Sequence, residues 1–494
     1  MNILSLFPLI PLVMMLGLWI SKNTRQIHAV MVAGSSALLA LAIYLVFHYL
    51  GLREAGATDA MLLTDSVVWY APLNIHYAVG VDGISVAMLL LSAIIVFTGT
   101  FASWQMKSDV KAYFLWFCLL SVGVFGFFIT VDLFSMFMFY EVALIPMYLL
   151  IGVWGSGRKE YSAMKLTLML MGGSALLLIG ILGIYFGAGA QTMNLHEIAA
   201  LHNIPLSQQY IWFPMVFVGF GVLGALFPFH TWVPDAYAYS TPTSAAVLSS
   251  LVSKGYIFLL MKIMYRVIGL DVIVSTGIQD VLFVFALVGI VMGSISAIRQ
   301  TDIRRMIAFS SVAQIGYVFM GIGLGTDEGM MAATFHIFSH AVCKSMLFLA
   351  AGGLADASNN SKKFRDLRGA GFRSPIAGVA FTIGALSMVG FPFLGGFASK
   401  LNFALAAMDV GGARTMLVLI TLAISTWLNT LYFLRTVITL YRKPVPGAVY
   451  SVARGQRGFC FNASLVAFSI VNVALGLFAQ TFVSAITAGL ATFG

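Results

Sequence analysis

Residues 133–154 read LFSMFMFYEVALIPMYLLIGVW, and apart from Tyr140 and Tyr148 the only ionisable side chain among them is Glu141. A run this long and this apolar has the length of a membrane-spanning helix. A carboxylate near the middle of such a helix costs on the order of 3 kcal/mol or more, so it persists where the fold compensates it or where function retains it. The stretch therefore sets the class of the protein and raises the question of what Glu141 is for.

The remaining sequence agrees with that class. The chain has 494 residues, 60% hydrophobic and 9% charged, with mean hydropathy +0.96, whereas soluble domains carry about 25% charged residues. Cys118, Cys343 and Cys460 stand singly, without CxxC or metal-ligand spacing, so neither a disulfide nor an iron–sulfur cluster is expected. The first apolar stretch, 3–20, has no basic region before it and no clear cleavage site after it, and reads as a retained helix. No phosphate loop, dinucleotide fingerprint, haem or flavin motif is visible. Any electron chemistry is therefore expected in partners.

Apolar runs long enough to span lie near 3–20, 29–50, 84–104, 112–130, 133–154, 164–187, 211–229, 244–265, 281–298, 306–325, 329–355, 375–408, 415–440 and 460–489. The expected fold is an all-α polytopic membrane protein of about 14 transmembrane helices. Loop charge tests the count. Eighteen lysines and arginines fall in the odd-numbered loops, against Arg53, Arg266 and Arg414 in the even ones. That asymmetry places both termini outside, so the net charge of +9 is topology rather than a nucleic-acid patch.

Six basic residues remain. Lys165, Lys262 and Arg435 sit near segment ends, where snorkelling explains them. Lys254 in SSLVSKGYIFLL, Lys344 in FSHAVCKSMLFLAAGG and Lys400 in GFPFLGGFASKLNFALAA lie within segments 8, 11 and 12. With Glu141 in segment 5 they make four intramembrane charges on separate helices, three of them lysines, which is more than structural pairing requires. A desolvated lysine takes and releases protons readily. His336, His340 and Lys344 recur at every fourth position and share one helical face. No HExxH and no third ligand at a suitable spacing accompany the histidines, so a metal is not expected. Two isolated core histidines are the plain alternative; the lysine at the end of the stripe favours a proton-transfer row.

Segments 7 and 12 are interrupted by Phe-Pro-Phe, at Phe227–Phe229 and Phe391–Phe393, five segments apart. Breaks at corresponding places in two halves point to inverted repeats. The domain reading is helices 1–3 in 1–110, a first repeat of helices 4–8 in 111–268, a second of helices 9–13 in 269–442, and a cytoplasmic loop with helix 14 in 443–494.

FYEVALIPMYLLIGVWG, FPFHTWVPDAYAYSTPTSAAVLSSLVSKG and QTDIRRMIAFSSVAQIGY resemble the antiporter-like, proton-translocating subunits of respiratory complex I, the NADH-quinone oxidoreductase, and most closely their M-chain (mitochondrial subunit 4) type. The resemblance implies a subunit that couples quinone reduction to proton pumping through a row of Glu141, Lys254, His336, His340, Lys344 and Lys400. It implies no cofactor or redox centre in this chain, with flavin, iron–sulfur clusters and quinone held by partners, and other antiporter-like membrane subunits as neighbours. It also implies a bacterial inner-membrane location. The alternatives are a subunit of a Mrp-type sodium/proton antiporter, of a membrane-bound hydrogenase or of an F420H2 dehydrogenase relative.

Three departures stand out. Leu223 occupies the place of the family's segment-7 lysine, eleven residues ahead of Pro234. Lys400 stands where M chains usually have a glutamate, and FSHAVCKSMLFLAAGG looks more like the L chain, Mrp antiporters and hydrogenases. Arg304 and Gln314 stand where M chains often show lysine and histidine.

Overall fold

The computed structural model describes all residues except 1, 60, 190–191, 202–203, 264–275, 445, 447–457 and 491–494. Arg266, Arg454, Arg457, the end of segment 8 and the expected 268/269 boundary lie outside the described residues. The helices are α1 (Leu6–Ile20), α2 (Thr24–Glu54), α3 (Gly83–Ala102), α4 (Val110–Ile129), α5 (Leu133–Gly152) and α6 (Lys159–Gly187). Then come α7a (Leu206–Leu223), α7b (Trp232–Tyr239), α8a (Pro242–Val247), a π-helical turn (Leu248–Val252) and α8b (Ser253–Lys262). The second half holds α9 (Ile278–Ile298), α10 (Ile303–Leu324), α11 (Asp327–Asp356), α12a (Pro375–Val389), α12b (Gly395–Val410), α13 (Gly412–Leu440), α14a (Phe459–Leu477) and α14b (Ala479–Leu490).

Among the described residues thirteen helices are long and apolar enough to cross a membrane. The fourteenth expected span is α12, whose halves of 15 and 16 residues are each short because the segment is broken. Both Phe-Pro-Phe sites are interruptions: α7a stops at Leu223 and α12a at Val389. Ala225 and Phe393 adopt φ of 61° and 70°, and Gly390 φ of 97°, so the backbone turns through the left-handed region at each break.

Short polar side chains start the helices. Asp82 and Asp132 accept from the backbone N–H groups of Ser85 and Ser135, each at 2.8 Å, at the heads of α3 and α5. Asp302 accepts from Arg304 and Arg305 at the head of α10. Burial then locates the centre of the bundle. The spanning windows of α8, α10 and α11 are 100%, 94% and 94% buried, against 33% for α14a and 28% for α2. Three of the four expected intramembrane charges lie on or against these central helices.

One element was not expected. Between α2 and α3 an antiparallel hairpin forms, β1 (Leu62–Tyr70) with β2 (Ile75–Val81), turning at Asn74 with φ 48°. Its alternation of β-branched and aromatic residues is too short to span and favours strands. The hairpin is tied to the head of α5: the His76 N–H donates to Asp132 Oδ2 at 3.3 Å, and Ser135 Oγ donates to the His76 carbonyl at 2.9 Å.

Candidate functional site

Lys254, Lys344 and His340 are wholly inaccessible, and His336 is 3% exposed. Each lysine is held by oxygens. The π turn frees a carbonyl at Ser249, and Lys254 Nζ donates to it and, at 3.0 Å, to Ser253 Oγ. Lys344 Nζ donates to Ser310 Oγ and, at 3.1 Å, to the Ile307 carbonyl of α10. Lys400 Nζ donates to the Val389 carbonyl at 2.8 Å and to Thr426 Oγ1 at 2.9 Å. Val389 is the last residue of α12a, so this lysine closes a carbonyl that the break has opened. Gly390 makes room for it, since a Cβ there would stand 3.2 Å from Lys400 Cδ. Asn429 donates to the neighbouring Met388 carbonyl at 3.3 Å.

Among the described residues no carboxylate lies within ion-pair distance of Lys254, Lys344 or Lys400. Two lysines assigned to snorkelling behave differently and correct that expectation. Lys262 is buried and paired with Asp82 at 3.2 Å, with Ser85 Oγ at 3.1 Å. Lys165 pairs with Asp235 at 2.8 Å, and Arg305 reaches the same carboxylate at 3.6 Å. A charge buried at a helix end needs a counter-ion where water cannot reach it. Arg435 remains exposed, as expected.

The stripe on α11 connects these lysines. The rings of His336 and His340 are stacked with centroids 5.8 Å apart. His336 Nδ1 and Ser399 Oγ are 2.6 Å apart, and Ser399 precedes Lys400 in α12b. At the other end Ser250 in the π turn donates to the Ala341 carbonyl at 2.9 Å and meets Ser345 Oγ at 2.7 Å, joining α8 to α11. Lys254 and Lys344 lie within electrostatic range of His340. The structure thus brings together five of the six expected residues.

Glu141 stands apart. Its Oε1 is buried and without a hydrogen-bond partner, and Ser174 of α6 is the hydroxyl beside its carboxylate. The face of α5 that carries it also carries Met138, Ile145 and Tyr148, all exposed. Next to Glu141, Tyr140 meets Tyr256 of α8b edge to face, ring centroids 4.7 Å apart. Leu223 is fully buried at the end of α7a, and the freed Val222 carbonyl is taken by the Trp232 indole at 3.0 Å.

Beyond the spans, Lys362 donates to Ser156 Oγ at 2.7 Å and to the Ala238 carbonyl at 3.3 Å. Burial, helped by the Arg304 guanidinium, pushes its ammonium down to about 8. Arg304 itself donates to the carbonyls of Ser240 and Tyr237. Among the described residues no group of three His, Cys, Asp or Glu could hold a metal, and all three cysteines are free.

The tyrosine pair and the serines in and just after the π turn were not among the expected site residues. Their only signal in the sequence is the adjacency of Tyr140 to Glu141 and of Ser249, Ser250 and Ser253 to Lys254.

Residues 130–426 match the family described as NADH:quinone oxidoreductase/Mrp antiporter, transmembrane. NADH-quinone oxidoreductase subunit M of Rickettsia felis is 30% identical, over 90% of this chain and 89% of its own. Among solved structures, a chain of the archaeal membrane-bound sulfane sulfur reductase aligns with TM-score 0.87 at 24% identity, covering 100% of this chain and 98% of its own. A chain of respiratory complex I from Thermus thermophilus aligns with TM-score 0.81 at 22% identity, covering 99% and 100%. This multi-pass membrane protein, broken at the same two helices its sequence marks, belongs to the NADH:quinone oxidoreductase/Mrp antiporter transmembrane family.

Proposed function

We propose that this chain is a proton-translocating membrane subunit of a complex I-type NADH-quinone oxidoreductase, of the subunit M type. It performs no redox step. Partner subunits carry the flavin and iron–sulfur clusters and reduce quinone, and antiporter-like membrane subunits flank it. It sits in a bacterial cytoplasmic membrane with both termini outside, and helices 4–8 and 9–13 are its two inverted repeats.

One observation carries this reading: two buried lysines and a half-buried one, on three helices and each bound by carbonyl and hydroxyl oxygens, adjoin a stripe of histidines and have no carboxylate partner among the described residues. An oxygen acceptor serves an ammonium and a neutral amine alike, because both carry N–H bonds. Each lysine can therefore give up and regain a proton without losing its place. Transfer runs from Lys254 through His340 and His336 to Ser399 and Lys400, with Lys344 adjoining the stripe. Glu141, on an exposed face, receives the signal from the neighbouring subunit. Two unit charges about 7 Å apart at an effective dielectric near 20 interact by about 2.4 kcal/mol. That is nearly two pKa units, enough to move a desolvated lysine between its charged and neutral forms.

The test is Lys344→Met in the purified assembly reconstituted into vesicles. The variant is expected to assemble and to lose proton pumping; normal pumping would overturn the reading. The lysine in α12b also favours a second reading, a Mrp-type antiporter subunit or a hydrogenase or F420H2 dehydrogenase relative. Sodium-dependent transport without quinone reduction would establish the antiporter reading instead.

A further inference from the structure

Among the described residues, two side chains carry a pair of polar atoms that are both buried and without a partner: His340 and Asn472. The first belongs to the proposed row. The second lies in α14a, with no exposed surface, on a face that holds Phe461, Leu465, Phe468 and Leu475 and, among polar residues, Ser464 two turns away. An amide left dry in such a place is destabilising for each unmet group. An apolar residue of the same size would fill it more cheaply.

The position of Asn472 against α11 follows from three anchors. Phe461 stands beside Gly353, Ser469 Oγ donates to Met346 Sδ at 3.2 Å, and Leu475 and Ser339 flank Gly395 together. The two helices run antiparallel, and Asn472 falls between the levels of Ser339 and Met346, alongside the turn that begins at His340. Ser339 Oγ is likewise buried and without a partner, as is Nε2 of His336. One turn further along α14a, Gly476 abuts the broken backbone of α12, where a Cβ would meet the Phe393 carbonyl at 2.3 Å. Orphaned polar atoms from two helices thus lie at neighbouring levels beside a third that is interrupted. Backbone opened at membrane depth is tolerated only against protein or water, and a buried water makes about three hydrogen bonds to such groups.

We propose that Asn472 and Ser339 hold ordered water between α11, α12b and α14a, and that this water forms a side branch joining the His336–His340 stripe to the break in α12. The proposal rests on the proton-translocating reading above. Asn472 is a positioning residue. Its Oδ1 accepts from the water and its Nδ2 donates to it, and the amide exchanges no proton in the transfer. The water takes one proton from the histidine side and releases another toward the break, so it ends each passage neutral.

The experiment uses the intact assembly in vesicles and compares Asn472→Leu, Asn472→Ser and Lys344→Met. Asn472→Leu removes both polar groups at similar volume. It is expected to cut protons pumped per electron by about half or more, because the bridging water loses its partners, while Asn472→Ser retains most of the ratio. If Asn472→Leu keeps the full ratio while Lys344→Met loses it, the branch is wrong and the row stands. If both keep it, the row and the branch fall together. Should Asn472→Leu not assemble, a high-resolution map of the unmodified assembly decides. Density within hydrogen-bond reach of Asn472 and Ser339 supports the branch, and dry contact overturns it.

Discussion

The breaks in α7 and α12 share a Phe-Pro-Phe sequence and a left-handed backbone turn, yet they are closed by different donors. In α12 the freed carbonyls of Met388 and Val389 are met by Asn429 and Lys400. In α7 the freed Val222 carbonyl is met by the Trp232 indole, and Leu223 fills the adjoining space. An interruption exposes a carbonyl in either case; the donor that answers it decides whether the place can titrate. An indole N–H has one protonation state over the usual pH range, whereas an amine has two. The second half therefore holds a connected set of titratable groups. In the first half the contact beside Glu141 is an edge-to-face pair of rings, Tyr140 on Tyr256.

The largest effect expected on this contrast comes from Lys400→Met. It removes the titratable donor at the α12 break and should lower pumping by about a hundredfold in vesicles, the scale on which losing a positioned proton donor acts. Wild-type pumping in that variant would erase the difference between the two breaks. Glu141→Gln keeps the shape of the side chain, and a smaller loss than that of Lys400→Met is expected, because Leu223 stands where a lysine relay is expected. Introducing Leu223→Lys should deepen that loss, since it adds an amine at the end of α7a, which packs on α6 where Val222 meets Gly173, next to Ser174. Pumping by the single and double variants measures this directly. Trp232→Phe removes the indole donor from the Val222 carbonyl, which keeps the Ala225 N–H, and should cost about 1 kcal/mol of stability. Thermal unfolding should reveal that loss, with pumping per assembled complex unchanged.

The smallest effect concerns pH. Lys362 lies below its ordinary 10.5, at about 8, so between these values the unfolded chain holds a proton that the folded chain has released. Stability should rise with pH across that window, and Lys362→Gln should flatten the rise. Melting temperatures measured from pH 7 to 10 give the slopes.

Signals carried within one segment were legible in the sequence. The apolar runs gave the spans, the proline–glycine interruptions gave the two breaks, and lone charges amid apolar residues gave Glu141, Lys254, Lys344 and Lys400. Relations between distant segments were not. The Lys262–Asp82 pair joins residues 180 positions apart, and nothing near Lys262 names its partner. The π turn is an insertion of backbone, invisible to a periodicity that its five residues barely disturb. The hairpin escaped notice because it lies in a stretch too short and too mixed to compete with the helices around it.

That hairpin has a mechanical consequence. Its β2 strand grips the first turn of α5 through the main chain of His76, and β1 presents Val67, Val68, Trp69 and Tyr70 to its surroundings. Tryptophan and tyrosine settle at the boundary between lipid and water. The hairpin thus sets an interfacial edge beside the end of the helix that bears Glu141, tied to it by two hydrogen bonds. A partner that binds the exposed edge of β1 therefore docks on an element hydrogen-bonded to the helix that carries Glu141.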